Sequence, residues 1–446
     1  MTVRTVVWSA LVAIVVCGLA GVARAGGDAG VDAIAASAPA KAAPYDPVKA
    51  AAAVQVQDPE AATRTYLDSV SPERRAQTKA YAAGNYVFLF IDFAFFVGVM
   101  IAFLALGVSV RFRNLARRVT RIRALQTALY WLQFYLATTV IGFPLALYTD
   151  YYREKQYGLL TQDLGGFLGD RLKGIVIGCI VGAMVMTVLY GVLRRAPRMW
   201  WAWLSGVAIA FVIFTIAVTP VVIQPMFNKF TPVENVEIRN SILAMAHEHG
   251  IPADEVYQMD ASRRTDRISA YVAGMLGSMR IVMFDTTLKR CTPQEIQMIM
   301  GHEMGHYVLN HVWKSVAFIG VVIIIAMLFI RWAFGRVLRR WPKLGIEDIA
   351  DVAGLPLLAV LFSLVAFVAM PVINTHTRHQ EAEADDFGLD ASHQPDAAAT
   401  TFLKLGEYRD LEPGGLIEAL FFDHPSGENR IRNAMEWKHA HAAASH

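Results

Sequence analysis

Six stretches of this chain are long and apolar enough to cross a lipid bilayer, and they limit its fold more than any other feature. A crossing needs about 20 predominantly apolar residues. Residues of about 86–110, 125–149, 172–193, 200–224, 315–335 and 352–374 supply them. Inside lipid every backbone N–H and C=O must find a partner within the protein, so such segments fold as helices. Charged residues make up 18% of the chain, below the level of about 25% in soluble domains. The net charge of +3 gives no electrostatic case for nucleic acid as a partner. Asp92 lies in the first span, where an acid either faces the bundle interior or water or sits near a helix end. Trp200, Trp201 and Trp203 read as interfacial anchors rather than a ligand box.

The loops between spans differ in charge, and that orients the chain. Arg111, Arg113, Arg117, Arg118, Arg121 and Arg123 follow the first span; Arg194, Arg195 and Arg198 follow the third. Arg331, Arg336, Arg339, Arg340 and Lys343 follow the fifth, whereas 150–171 holds only Arg153, Lys155 and Arg171. Cytoplasmic loops are the Lys/Arg-rich ones, so residues 225–314 and 375–446 are expected to face outward. In a bacterium this means an inner-membrane protein with those two segments in the periplasm. The N-terminus reads independently in the same sense. Arg4, an apolar run from Val6 to about Val22 and Ala23-Arg24-Ala25 read as a signal peptide over 1–25 with cleavage before Gly26, the alternative being an uncleaved anchor. An Ala-rich linker and helix occupy 26–84. The three cysteines, Cys17, Cys179 and Cys291, are placed too unlike one another to predict a disulfide framework.

The chemistry lies in Gly301-His302-Glu303-Met304-Gly305-His306. Residues four apart share a helix face, so His302 and His306 can bind one zinc ion while Glu303 reaches the water that zinc activates. Three fixed positions recur by chance in about 1–2% of chains of this length and histidine content, so the motif needs support from its context. That support is a helix start: Thr292 as N-cap, Pro293 at the first helical position and Glu295 to close a capping box. Ile296, Ile299 and Met300 continue an apolar face up to the motif, and the pattern predicts a helix running unbroken past His311 and Lys314 into the fifth span. His311 then reads as a rim or packing residue. A catalytic zinc needs a third protein ligand, and spacing leaves His376, His379, Glu381 and Glu383 as candidates.

Several longer strings accompany the motif. They are Gln224-Pro225-Met226-Phe227-Asn228-Lys229-Phe230-Thr231-Pro232, Arg280-Ile281-Val282-Met283-Phe284-Asp285-Thr286, Glu381-Ala382-Glu383-Ala384-Asp385 and His424-Pro425. With them the chain resembles the integral-membrane CAAX prenyl protease family of gluzincin-type zinc endopeptidases, over residues of about 125–436. The resemblance implies one zinc ion per chain with Glu381 as third ligand, Asp385 orienting a ligand histidine, His424 donating to the developing oxyanion and Arg430 in support. It also implies that Ala270, Tyr271, Val272, Ala273 and Gly274 form a strand beside the metal that pairs with an extended peptide or protein substrate. The family has Asn before the Ala-Tyr pair, where this chain has Ser269.

Between the fourth and fifth spans, Val233–His249 has helical spacing, Glu255–Met259 reads as a strand, and Ile268–Met275 with Met279–Phe284 reads as a hairpin about Gly277-Ser278. The expected fold is therefore mainly α. Membrane helices one to four occupy 85–224, a small α+β zincin-like domain 225–314, helices five and six 315–374, and a C-terminal catalytic helical region 375–446. The His-rich tail with His439, His441 and His446 is expected to be disordered. The expected function is a zinc metalloendopeptidase acting on membrane-associated or misfolded polypeptides. Prenylated CAAX substrates do not suit an outward catalytic face. The competing readings are a site-2-type intramembrane zinc protease, which would bury the motif within a span and use a distant Asp, and a polytopic protein with a structural zinc site, which would not need Glu303.

Overall fold

A computed structural model describes residues 58–273 and 279–444. The expected signal peptide, most of the Ala-rich linker, the turn of the predicted hairpin, Gly274 and His446 lie outside the described residues.

Short polar residues followed by proline start several of the helices. Asp58 accepts from the amides of Glu60 and Ala61 ahead of α1 (Pro59–Asp68), and Ser71 accepts from Arg74 N ahead of α2 (Pro72–Ala105). Proline at the first helical position loses nothing, because its missing N–H would have had no partner there. Gly107, at φ 67°, turns the chain into the short α3 (Val108–Val119). The first span therefore ends at Ala105, and the arginines from Arg111 to Arg118 sit on a separate helix rather than on its extension. Then come α4 (Arg123–Leu147, prolonged by a π-helical turn, Tyr148–Arg153), α5 (Leu164–Arg195) and α6 (Trp200–Val218).

The chain then leaves the bundle and forms β1 (Phe230–Pro232), α7 (Val236–Glu248), β2 (Val256–Met259), β3 (Ala270–Ala273) and β4 (Arg280–Phe284). These strands make one mixed sheet in the order β1-β2-β4-β3. The hairpin read from the sequence is present: β3 runs antiparallel to β4 with Ala270 opposite Met283 and Ala273 opposite Arg280. Phe230–Pro232 was not recognisable as a strand, since three residues with a terminal proline carry almost no pattern. After the short α8 (Asp285–Arg290) follow α9 (Pro293–Val308), α10 (His311–Arg340), α11 (Leu355–Ser392), α12 (Pro395–Leu405), α13 (Gly415–Phe421) and α14 (Gly427–Ala444).

Six helical segments among the described residues are long and apolar enough to cross a membrane: Pro72–Ala105, Arg123–Gln156, Leu164–Arg195, Trp200–Met226, His311–Arg340 and Val352–Ser392. The bundle core is aromatic. Trp131 lies against Gly182 of α5 and Tyr135 against Gly178, and the indole N–H of Trp131 donates to Gly178 O at 3.1 Å. The last helix of the bundle does not stop at the membrane edge: α11 carries the chain in one piece from Leu355 through Glu381 and Asp385 to Ser392.

Two expectations fail. The helix bearing the motif does not run into the fifth span, because Asn310 adopts a left-handed conformation (φ 57°, ψ 34°) that ends α9 and starts α10. Asparagine tolerates that region better than most residues, so the break is encoded locally although the apolar pattern hid it. The tail is not disordered as far as Ala444, since α14 continues there and His441 stacks on Trp437 with ring centroids 3.8 Å apart.

Candidate metal centre

Helix α9 starts as its sequence requires. Thr292 Oγ1 accepts from Glu295 N, and the Glu295 carboxylate in turn accepts from Thr292 N at 2.7 Å. Glu295 is itself buried and also accepts from Thr400 Oγ1 at 2.8 Å and Lys404 Nζ at 2.6 Å, which ties the helix start to α12. One face of α9, with Ile296, Met300 and Met304, packs into the core shared with Val256, Ile281 and Met283 of the sheet. Burying each such side chain contributes about 1.5–3 kcal/mol.

The opposite face approaches α11 unusually closely. A Cβ on Gly388 would lie 2.9 Å from the backbone N of His302, and one on Gly301 3.2 Å from the Cα of Gly388. Gly305 lies against Phe387 in the same crossing. These contacts bring the carboxylate of Glu381 up to the two imidazoles. His302 Nε2 lies 3.2 Å from His306 Nε2 and 3.3 Å from Glu381 Oε2, and His306 Nε2 lies 3.7 Å from Glu381 Oε1. One donor atom from each of the three residues falls within 4.8 Å of the others. The remaining candidates stand apart from this group: His376 stacks on Phe318 at 4.1 Å, His379 is exposed, and Glu383 pairs with Lys314.

Each partner atom around the cluster points the same way. His302 Nδ1 meets Asp385 Oδ1 at 2.8 Å, and Asp385 is in turn held by Arg430, whose Nε donates to Oδ2 at 2.7 Å and whose Nη2 donates to Oδ1. Arg430 also lies over the Phe402 ring. His424 Nε2 comes within 3.1 Å of Glu381 Oε2, while its Nδ1 bonds Asp423. Glu381 Oε2 is nevertheless buried without a well-directed hydrogen bond. Burial lowers the pKa of both imidazoles. At His302 the hydrogen bonds and charges of Asp385 and Glu381 overcome it and hold the ring up at about 10, whereas His306 falls to about 3. Two imidazoles and a carboxylate, with a carboxylate behind one imidazole, fit zinc.

Glu303 follows His302 on α9 and is half-buried, and burial pushes its carboxyl above the usual range. Of the expected substrate strand, Ala270–Ala273 form β3 at the edge of the sheet, bonded to β4 alone among the described residues. Tyr271 Oη donates to Gln224 Oε1. Ser269, in the place of the family's Asn, has its backbone fixed by Thr287: its N–H donates to Thr287 Oγ1 at 2.9 Å and its carbonyl accepts from the same hydroxyl at 2.8 Å. Of the two places expected for His311, rim or packing, it takes the buried one, and it meets His306 directly, Nδ1 to Nδ1, at 2.9 Å. The signal that could have found it was Asn310, which turns the chain back at the end of the motif helix. Asp423 was missed as well, and its adjacency to His424 in the sequence was the available clue.

The signature of Peptidase family M48 matches residues 232–438, and that of the CAAX prenyl protease N-terminal region, five membrane helices, matches 55–229. An uncharacterized metalloprotease, YhfN, of Bacillus subtilis (strain 168) is 32% identical, over 86% of this chain and 91% of its own length. This chain belongs to peptidase family M48. As an M48 protein it is a multi-pass membrane zinc metalloprotease. A CAAX prenyl protease 1 homolog of Arabidopsis thaliana is 25% identical over 83% of this chain and 89% of that protein. The crystal structure of S. mikatae Ste24p shares the fold, with a TM-score of 0.68 at 19% identity over 87% of this chain and 97% of that one. The stretch 55–229, matched by the CAAX prenyl protease N-terminal region, holds four of the six span-length helices described above.

Proposed function

We propose that His302, His306 and Glu381 hold one zinc ion, and that the protein hydrolyses peptide bonds of membrane-associated or misfolded polypeptides on the periplasmic side of a bacterial inner membrane. The convergence of three donor atoms within 4.8 Å, one residue from Glu303, carries this reading. Bound there, zinc supplies Lewis acidity that polarises a carbonyl and acidifies water to near neutral pH.

The chain's own residues do the rest. Asp385, fixed by Arg430, accepts from His302 Nδ1 and so leaves the Nε2 lone pair for the metal. Glu303 takes the proton of the attacking water and passes it to the leaving amine. His424, when both ring nitrogens carry protons, is held by its Nδ1–H to Asp423 and donates from Nε2–H to the oxyanion as charge develops. The free edge of β3 pairs with the backbone of an extended substrate, which asks little of its side chains. A site-2-type enzyme is disfavoured because the motif helix, Pro293–Val308, is not one of the span-length helices and the third donor is Glu381 rather than a distant Asp. The arginine-rich connections from α2 to α4, from α5 to α6 and from α10 to α11 support an outward-facing site.

Purified protein in mild detergent should contain about one zinc per chain and cleave members of a broad peptide library. Glu303→Ala should keep the zinc and lose cleavage. Wild-type protein without zinc would sink the metal assignment.

A further inference from the structure

The two ligand histidines are supported differently. His302 has a carboxylate behind it; His306 has another imidazole. His306 Nδ1 lies 2.9 Å from His311 Nδ1, and His311 Nε2 lies 2.9 Å from Glu383 Oε2, which also accepts from Lys314 Nζ at 3.1 Å.

We propose that His311 and Glu383 are positioning residues that fix the tautomer of His306, through a chain of hydrogen bonds from the metal ligand to the protein surface. This rests on the zinc reading above. A contact between two ring nitrogens at this distance holds one proton, donated by one ring and accepted by the other. His306 Nε2 faces His302 Nε2 and Glu381, so it must present a lone pair to bind a cation. Its proton is then on Nδ1, His311 Nδ1 is the acceptor, and His311 Nε2–H donates to Glu383. A single requirement at the metal sets four atoms in a row.

The fold holds His311 for this task. It is 1% exposed, and the left-handed Asn310 makes it the first residue of α10. Its carbonyl accepts from Gln380 Nε2 at 3.2 Å, and Gln380 Oε1 accepts from Ser315 Oγ at 2.8 Å. Glu383 sits at the wet end, with its side chain 51% exposed, so its charge carries little desolvation cost. The continuation of the last membrane helix therefore supplies Glu381 as ligand, Asp385 behind His302, and Glu383 behind His306 through His311.

Competition with a chromophoric zinc chelator tests this in detergent-purified wild type, His311→Ala, His311→Gln and Glu383→Ala, alongside thermal unfolding of each metal-free protein. Removing such outer partners costs about 10–100-fold in metal affinity, which is the loss expected for His311→Ala, with about 3–10-fold for the exposed Glu383→Ala. His311→Gln should restore affinity to within about threefold of wild type, because its amide oxygen can accept from His306 while its NH2 donates to Glu383. Metal-free unfolding temperatures should stay together. Wild-type affinity in His311→Ala or Glu383→Ala would overturn the proposal. So would failure of the Gln variant to recover, since that would make His311 a packing residue only. If wild type itself bound no zinc, the metal assignment would fall first; unchanged binding in the variants would remove this inference alone.

Discussion

At the scale of single residues, the centre combines groups whose roles differ although their chemistry is alike. Glu303, Glu381 and Glu383 are carboxylates of nearly the same reach, separated by what surrounds them: a half-buried position beside the motif, two imidazoles, and solvent with Lys314. Because burial raises the pKa of Glu303, its base form is lost at a higher pH than that of an ordinary glutamate. The acid limb of kcat/KM should therefore lie above about 4.3, the value for a free Glu side chain, with activity falling as pH drops through it. A limb at or below that value, at constant zinc occupancy, would show that Glu303 does not control it. Arg430→Ala leaves Asp385 buried without its guanidinium. Zinc affinity should fall about 10–100-fold, read by chelator competition.

At the scale of elements, the site depends on how closely two helices cross. Gly388→Ala would put a methyl group 2.9 Å from the backbone N of His302, which cannot move aside as the Met298 methyl at the same distance can. Overpacking of this kind costs about 1–3 kcal/mol. The expected outcome is a lower unfolding temperature together with weakened zinc binding, because the separation carries Glu381 away from His302 and His306. An alanine at Gly206, with nothing within 4 Å of its Cβ, serves as the control and should change neither. The break at Asn310 works similarly: it ends one helix where the metal ligands end and starts another with His311 already beside His306.

At the scale of the whole molecule, the zinc domain is tied to the membrane bundle by a buried ion network. Arg267 Nη2 donates to Glu154 Oε2 at 2.8 Å and to Tyr81 Oη at 2.7 Å, and Tyr81 Oη donates to Glu154 Oε1. Arg153 closes the group by donating to Tyr81 O at 2.9 Å. Arg267→Ala should destabilise by about 3–5 kcal/mol, since it strands the Glu154 carboxylate. Pairing it with Glu154→Gln should recover part of that loss in thermal unfolding. The arginine distribution adds a prediction on orientation: a reporter fused after His446 should be active only outside the cytoplasm, and a cytoplasmic signal would overturn the proposed catalytic face.

The sequence by itself determined what depends on neighbours along the chain. The six apolar stretches, the arginine-rich loops, the capped start of the helix from Pro293 and the pairing of Ala270–Ala273 with Arg280–Phe284 could all be read from local spacing, because helix period, strand alternation and caps are short-range properties. So could His302, Glu303 and His306, which share one helix. Spacing left four candidates for the third ligand, and only the resemblance singled out Glu381. The tertiary structure decided what no local pattern holds: that Gly301 and Gly388 let two distant helices touch, that Glu381 thereby reaches the imidazoles while His376 and His379 do not, and that His311 stands behind His306. Those contacts join residues more than 70 positions apart or lie across a helix break, and their geometry exists only once the bundle has packed.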